Sequence, residues 1–149
     1  MKKKILLIAT SFFLLTGFDI SMFSKKDKEN WILISKDSNS SLYLDLNSIK
    51  SETAGIFKYK EMYDAIVPFE VIKNDSRKAK SIVEENLVNC NDGKTKNGKF
   101  TAYSSNNRSG NSFEGESSLK IWIGSIPETP KRKLILAICD STVRNSNSK

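Results

Sequence analysis

Apolar and polar residues alternate through the first two thirds of the chain, which is the pattern of strands with one buried face. The run WILIS begins at Trp31, and SLYLDL at 41–46 places its three leucines on one side. GIFKYKEMY, which begins at Gly55, alternates aromatic residues with lysines and a methionine. Each stretch predicts a strand, and the third predicts one covered face and one wet face.

The next stretch, SRKAKSIVEENLVNC at 76–90, is long enough for either a helix or a strand. Two turn-forming pairs follow it, Asp92-Gly93 and Asn97-Gly98, so a strand is favoured near its end. We therefore expect a hairpin across residues 90–99. The return strand is KFTAYSSN, and a sixth strand is expected in SFEGESSLKIWI at 112–123.

The last element differs from the others. In ETPKRKLILAICD at 128–140, Thr129 is a suitable N-cap and Pro130 suits the first helical position. The apolar run 134–138 would also fit a buried strand, but the start signal favours a helix. Residues 141–149 are polar, and we expect them to form a disordered tail.

The N-terminus predicts export. Three lysines precede an almost uncharged apolar run at 5–18, which is shorter than a bilayer span. We interpret residues 1–21 as a signal peptide cleaved between 17 and 24, followed by a spacer at 22–30; an uncleaved anchor is the alternative. No cysteine lies near the end of this run, so no lipoprotein-type lipid anchor is expected. The expected destination is the periplasm, the cell surface or the medium.

The chain has two cysteines, Cys90 at the mouth of the predicted hairpin and Cys139 in the predicted helix. Exported proteins meet an oxidising compartment, so we expect these two to form a disulfide. A redox-active pair is the alternative. It is disfavoured because no C-x-x-C motif is present and apolar surroundings would raise the pKa of Cys139.

The composition excludes several chemistries. The sequence contains no histidine, which removes histidine-dependent nucleophilic catalysis and histidine-ligated zinc. We therefore expect no catalytic residues, no metal site and no cofactor. The formal net charge is +7, and Lys94, Lys96 and Lys99 of the hairpin are candidate contacts for an acidic partner. A solvated lysine-rich surface is the alternative, and export argues against nucleic acid.

Seven residues occur in an order that resembles the surface-adhesin protein E family: Trp31, Tyr43, Asp45, Ser48, Ile49, Cys90 and Cys139. The resemblance covers residues 31–140. It implies an α+β domain in which a C-terminal helix is tied by the disulfide to a single antiparallel sheet of about six strands. It also implies a non-enzymatic adhesin-like module that binds host matrix or plasma proteins, and the lysines of the hairpin add acidic glycans as candidate partners. The alternative is a periplasmic structural or accessory domain without a host ligand. The sequence leaves the oligomeric state open.

Overall fold

The computed structural model describes the backbone of residues 28–146 and the side chains of residues 28–140. The predicted signal peptide and most of the predicted spacer lie outside the described residues. Within these residues, seven strands and one helix follow one another: β1 Trp31–Lys36, β2 Ser40–Thr53, β3 Ile56–Glu70, β4 Lys78–Asn89, β5 Lys94–Ser105, β6 Ser109–Glu116, β7 Ile123–Gly124 and α1 Pro130–Ser146.

The strands form one antiparallel sheet in the order β1-β2-β3-β4-β5-β6, and the short β7 pairs with β5. Every neighbour along this path is also a neighbour in sequence, so hairpins alone connect the six long strands. The predicted fold class, a sheet of about six strands followed by a C-terminal helix, is confirmed.

The register of the sheet decides which side chains meet the helix. Phe57 lies opposite Val88 and Tyr59 opposite Asn86, so alternate residues of β3 and β4 share one face. That face and the helix enclose the main core, whose buried members are Leu42, Leu44, Tyr59, Val88, Leu134, Ile135 and Ile138. The opposite face carries Lys58 and Lys60, as the alternation predicts.

The predicted helix start and disulfide are both confirmed. Thr129 Oγ1 accepts a hydrogen bond from the Arg132 amide at 3.3 Å, which is the N-cap contact. Cys90 at the end of β4 is bonded to Cys139 of α1. The disulfide therefore joins the sheet to the covering helix.

The tip of the β4–β5 hairpin is shorter than predicted. Only residues 90–93 form the turn, where Gly93 has a φ of 68° that favours glycine. Asn97-Gly98 is not a turn but lies within β5 at an irregularity in the register. A side chain at position 98 would collide with the carbonyl oxygen of Glu85, so this glycine permits a close backbone approach.

Strand β3 continues through Pro68 to Glu70, but its pairing with β4 is interrupted between Asp64 and Phe69. Two other boundaries differ from those predicted from the sequence. The sixth strand ends at Glu116, and residues 117–122 follow without regular structure. The helix continues to Ser146, six residues into the segment expected to be a disordered tail.

One end of the helix-free face is closed by the β5–β6 turn. The Asn107 amide donates to both carboxylate oxygens of Asp64, at 3.0 and 3.3 Å. The Arg108 guanidinium lies 5.2 Å from the ring centroid of Trp31 and pairs with Glu29. The last residues of the predicted spacer therefore contact the domain.

Candidate functional site

The three candidate lysines lie in β5 rather than on an extended turn. Lys94 begins the strand, is exposed and pairs with Asp92 at 3.1 Å. Lys96 lies opposite Leu87 and Lys99 opposite Glu116, which places both on the helix-free face. The structure thus brings Lys96 and Lys99 to one surface and leaves Lys94 at its edge.

This surface is a shallow depression of about 360 Å³ with nearly balanced charge. Its charged lining residues are Lys58, Lys96, Lys99, Lys120, Glu52, Glu85 and Glu116. Two ion pairs cross it, Lys58 with Glu85 at 2.7 Å and Lys120 with Glu116 at 2.5 Å. The lysines therefore do not form an uncompensated basic patch, and an acidic ligand would have to compete with these carboxylates.

Two residues that carry the family resemblance have structural contacts. The Asp45 carboxylate accepts hydrogen bonds from the amides of Asn30, at 2.7 Å, and Asn47, at 3.2 Å. Ser48 Oγ donates to the Asp45 carbonyl and accepts from the Lys60 amide. These bonds hold β2 where its register to β3 shifts between Asp45 and Lys50. Asp45 and Ser48 are therefore assigned to the fold.

A second depression lies on the helix side of the sheet, beside the first turn of α1. It is a cavity of about 480 Å³, within the range typical of small-ligand sites. Its apolar lining side chains are Leu42, Tyr63, Phe69, Val71, Ile82 and Pro130. The rings of Tyr63 and Phe69 meet edge to face at 5.6 Å. We call this space the helix-side cavity.

Two glutamates and one lysine provide the ionic groups deepest in the helix-side cavity. Glu61 of β3 lies opposite Glu84 of β4 in the ladder, so both carboxylates share the helix-facing side. Lys131 Nζ contacts both carboxylate oxygens of Glu61 at 2.7 Å. Burial, and then the charge of Glu61, raise the pKa of Glu84 to about 7, while Lys131 partly offsets this rise.

Glu84 receives much weaker compensation than Glu61. Asn86 Nδ2 donates to Glu84 Oε2 at 3.3 Å, and no lysine or arginine with a described side chain forms an ion pair with Glu84. The Tyr59 hydroxyl nearby is buried and has no hydrogen-bond partner among the described residues. Burial and the neighbouring carboxylate of Glu61 raise the pKa of Tyr59. The polar groups at and beside this side of the cavity are therefore incompletely satisfied.

The local sequence pattern does not reveal this cluster. Glu84 and the adjacent Glu85 point to opposite faces of β4, as period-two alternation requires. Glu61, however, occupies a position of β3 where the alternating pattern otherwise places aromatic residues. This exception is the one local feature that could have indicated a polar site on the covered face. Pairing Glu61 with Glu84 requires the β3–β4 register, which the local pattern does not contain.

The described residues offer no further obvious chemistry. Among the side chains of residues 28–140, no group of three or more histidine, cysteine, aspartate or glutamate residues is arranged to hold a metal ion. None of the helices in this part of the chain is long and apolar enough to cross a membrane.

Solved structures with this architecture come from Haemophilus influenzae. Crystal form II of protein E superposes with a TM-score of 0.59 at 18% identity and covers 74% of this chain and 87% of that chain. Protein E from a non-typeable strain gives a TM-score of 0.58 at 18% identity, covering 76% of this chain and 78% of that one. At these identities the similarity establishes the fold alone.

Comparison of the sequence with models of protein families identifies the family of this chain. No curated protein matches the chain. The family model described as surface-adhesin protein E matches residues 31–140, which is most of the chain and nearly all of the described domain. The match covers all seven strands, the first part of the helix and both cysteines. The chain therefore belongs to the surface-adhesin protein E family.

Proposed function

We propose that the chain is a non-enzymatic, exported binding module that adheres to host matrix or plasma proteins, or to acidic glycans. The observation that carries this proposal is membership of a family described as a surface adhesin, over the whole sheet and both cysteines. The helix-free face supports it, because a sheet face without a covering helix can present its side chains to a macromolecule.

The binding surface proposed here is the helix-free face around β5, with Lys96 and Lys99 at its centre and Lys94 at its edge. The disulfide at Cys90 anchors the base of this hairpin. A restrained hairpin loses little conformational entropy on binding. Lysine ammonium groups act as point charges rather than planar forks, so they suit acidic segments of varied geometry.

Because ion pairs already cross this face, its attraction for an acidic partner depends strongly on ionic strength. Ligand carboxylates or sulfates must replace Glu85 and Glu116 as partners of the surface lysines. Salt screens the approach of exposed charges beyond about 8–10 Å, so the association rate falls as salt rises.

The test measures binding of the exported chain to laminin, vitronectin and heparin over a salt series. We expect Lys94, Lys96 and Lys99 changed together to serine to reduce low-salt affinity about tenfold, mainly through slower association. Lys73, Lys78 and Lys80 changed together to serine provide the matched control, because they remove the same charge near the start of β4. Equal affinity of the two triple variants at every salt concentration would exclude the β5 surface.

Localisation is tested separately, because a periplasmic accessory domain would share the same fold. Intact cells are treated with protease, and the chain is then detected with an antibody against the domain. Surface display predicts digestion in intact cells. Protection until the outer membrane is opened would place the chain in the periplasm and contradict adhesion.

A further inference from the structure

The helix-side cavity is separate from the surface proposed for adhesion to a macromolecule. Adhesion is proposed for the opposite face of the sheet, whereas this cavity lies between β3, β4 and the start of α1. Its aromatic and branched walls could cover one ring or a short hydrocarbon chain, since pockets of this size bury most of a small ligand.

The charges of the cavity favour a cation. Four carboxylates line it, Asp37, Glu61, Glu70 and Glu84, against the single ammonium group of Lys131. That ammonium is already held by both oxygens of Glu61. Glu84 lines the same space beside the Glu61 carboxyl, accepts a hydrogen bond from Asn86 at 3.3 Å and forms no ion pair with a described side chain, so an incoming cation would supply a countercharge.

The Tyr59 hydroxyl is a buried polar group next to these carboxylates, although it does not itself line the cavity. Its side chain is completely buried, yet its oxygen has no hydrogen-bond partner among the described residues. It lies close enough to Glu61 and Glu84 for their charges to act on it. A buried hydroxyl without a partner costs about 1–3 kcal/mol. The described residues therefore leave polar groups next to the cavity incompletely paired.

The start of the helix does not reverse this preference. A helix N-terminus attracts anions through its free amides. Here Pro130 contributes no amide hydrogen, and Thr129 Oγ1 already accepts from the Arg132 amide. An anion would also have to approach Glu84 and Glu61.

We propose that the helix-side cavity binds a small amphipathic organic cation, whose ammonium group pairs with Glu84 and whose apolar body lies between Tyr63, Phe69, Val71 and Ile82. The arrangement joins one ionic contact to an apolar wall. Neither an inorganic cation nor a neutral hydrocarbon would use both parts of the site.

The probe is 2-phenylethylammonium, measured by calorimetry and by NMR on the full exported chain at about pH 8, where an alkylamine remains charged. The matched probe is 3-phenylpropionate, which keeps the ring and a short linker but carries the opposite charge. We expect the amine to bind and to shift resonances of Phe69 and Val71. Equal binding of the carboxylate, or no binding of the amine, would overturn the proposal.

The chain offers a closely matched control variant. Glu84→Gln removes the proposed contact, whereas Glu85→Gln removes the same charge one residue away on the opposite face. We expect Glu84→Gln to weaken amine binding about tenfold, the usual scale of a charge-assisted hydrogen bond, and Glu85→Gln to change it less than about twofold. Equal effects of the two changes would contradict the assignment.

The pH dependence of amine affinity provides an independent test on the unmodified chain. Lowering the pH from about 8 to about 5.5 should protonate Glu84 and reduce amine affinity toward that of Glu84→Gln. The groups that face it are Glu61 on β3, Lys131 on α1, Asn86 on β4 and, at the rim, Asp37 and Glu70.

Val71→Trp fills the apolar part of the cavity without changing any charge, and it tests the site even if Glu84→Gln folds poorly. It should abolish amine binding. Undiminished binding by Val71→Trp would locate the amine elsewhere and overturn the proposal.

Discussion

The two faces of the sheet use charged residues in different ways, and adjacent residues Glu84 and Glu85 show the contrast. Glu84 faces the helix, is largely buried and has a raised pKa. Glu85 faces away from the helix and pairs with Lys58 in a half-exposed position. A single step along β4 therefore changes a carboxylate from a solvated surface group into one that is costly to ionise.

The difference lies in what covers each face. The helix excludes water from one side, so every charge there needs a partner, and Lys131 supplies one for Glu61 alone. Exposed pairs on the other side cost little to break because water replaces either partner. Electrostatic changes should therefore matter most on the helix side. The predictions test this difference, beginning with the disulfide that attaches the helix.

The largest effect is expected from removing the link between helix and sheet. Cys90 and Cys139 are 49 positions apart, so Cys139→Ser should lower the free energy of unfolding by about 4 kcal/mol. Thermal and urea unfolding provide the measurement, and hydrogen exchange should show the helix loosening first. The double variant Cys90→Ser/Cys139→Ser controls for the free thiol left by the single change. Unchanged stability in both variants would show that packing alone attaches the helix.

The next effect is a stabilisation. Because the folded pKa of Glu84 is raised from 4.5 to about 7, the folded state binds its proton more tightly than the unfolded state does. The associated stability is therefore complete below about pH 4.5 and is lost as the pH rises to about 7. Glu84→Gln should remove this loss and stabilise the chain at about pH 8 by as much as about 3 kcal/mol.

Urea unfolding at about pH 4 and about pH 8 measures the effect. Glu84→Gln should match the parent at the lower pH and exceed it at the higher pH. Glu85→Gln, on the other face, should show no comparable gain. A parent chain with the same pH profile as Glu84→Gln would show that Glu84 is not strained by the helix-side environment.

The helix-side face also shows what a sequence can and cannot predict. Local signals were sufficient for the helix start, because Thr129 and Pro130 act within one turn. They were sufficient for the strands as well, since alternation needs only neighbouring residues. The disulfide followed from the presence of two cysteines in a chain predicted to be exported.

The cavity could not be predicted because it depends on contacts between distant residues. Glu61 and Glu84 meet through the β3–β4 register, and Lys131 reaches them from another 47 positions along the chain beyond Glu84. The error at Asn97-Gly98 has the same origin. The pair has the composition of a turn, but Gly98 serves a close approach to the Glu85 backbone, which only the folded sheet reveals.

The smallest predicted effect is a difference in coupling energy between an ion pair on the helix side of the sheet and one on the other face. On the helix side, the Lys131 and Glu61 side chains are 28% and 9% exposed, against 39% and 34% for Lys58 and Glu85 on the other face. Both pairs have a shortest separation of 2.7 Å, so the comparison varies burial at constant distance. We expect a coupling energy of about 1.5 kcal/mol for the helix-side pair and below about 0.5 kcal/mol for the exposed pair.

Double-mutant cycles with glutamine at each position measure both coupling energies by urea unfolding. The salt dependence of each coupling energy provides a separate test of burial. Added salt should reduce the coupling of Lys58 with Glu85, because exposed charges are screened, and should change that of Lys131 with Glu61 much less. Equal coupling energies with equal salt dependence would mean that the helix does not shield the charged groups on its face of the sheet from water. The contrast between Glu84 and Glu85 would then need another cause, namely the direct repulsion between Glu84 and Glu61.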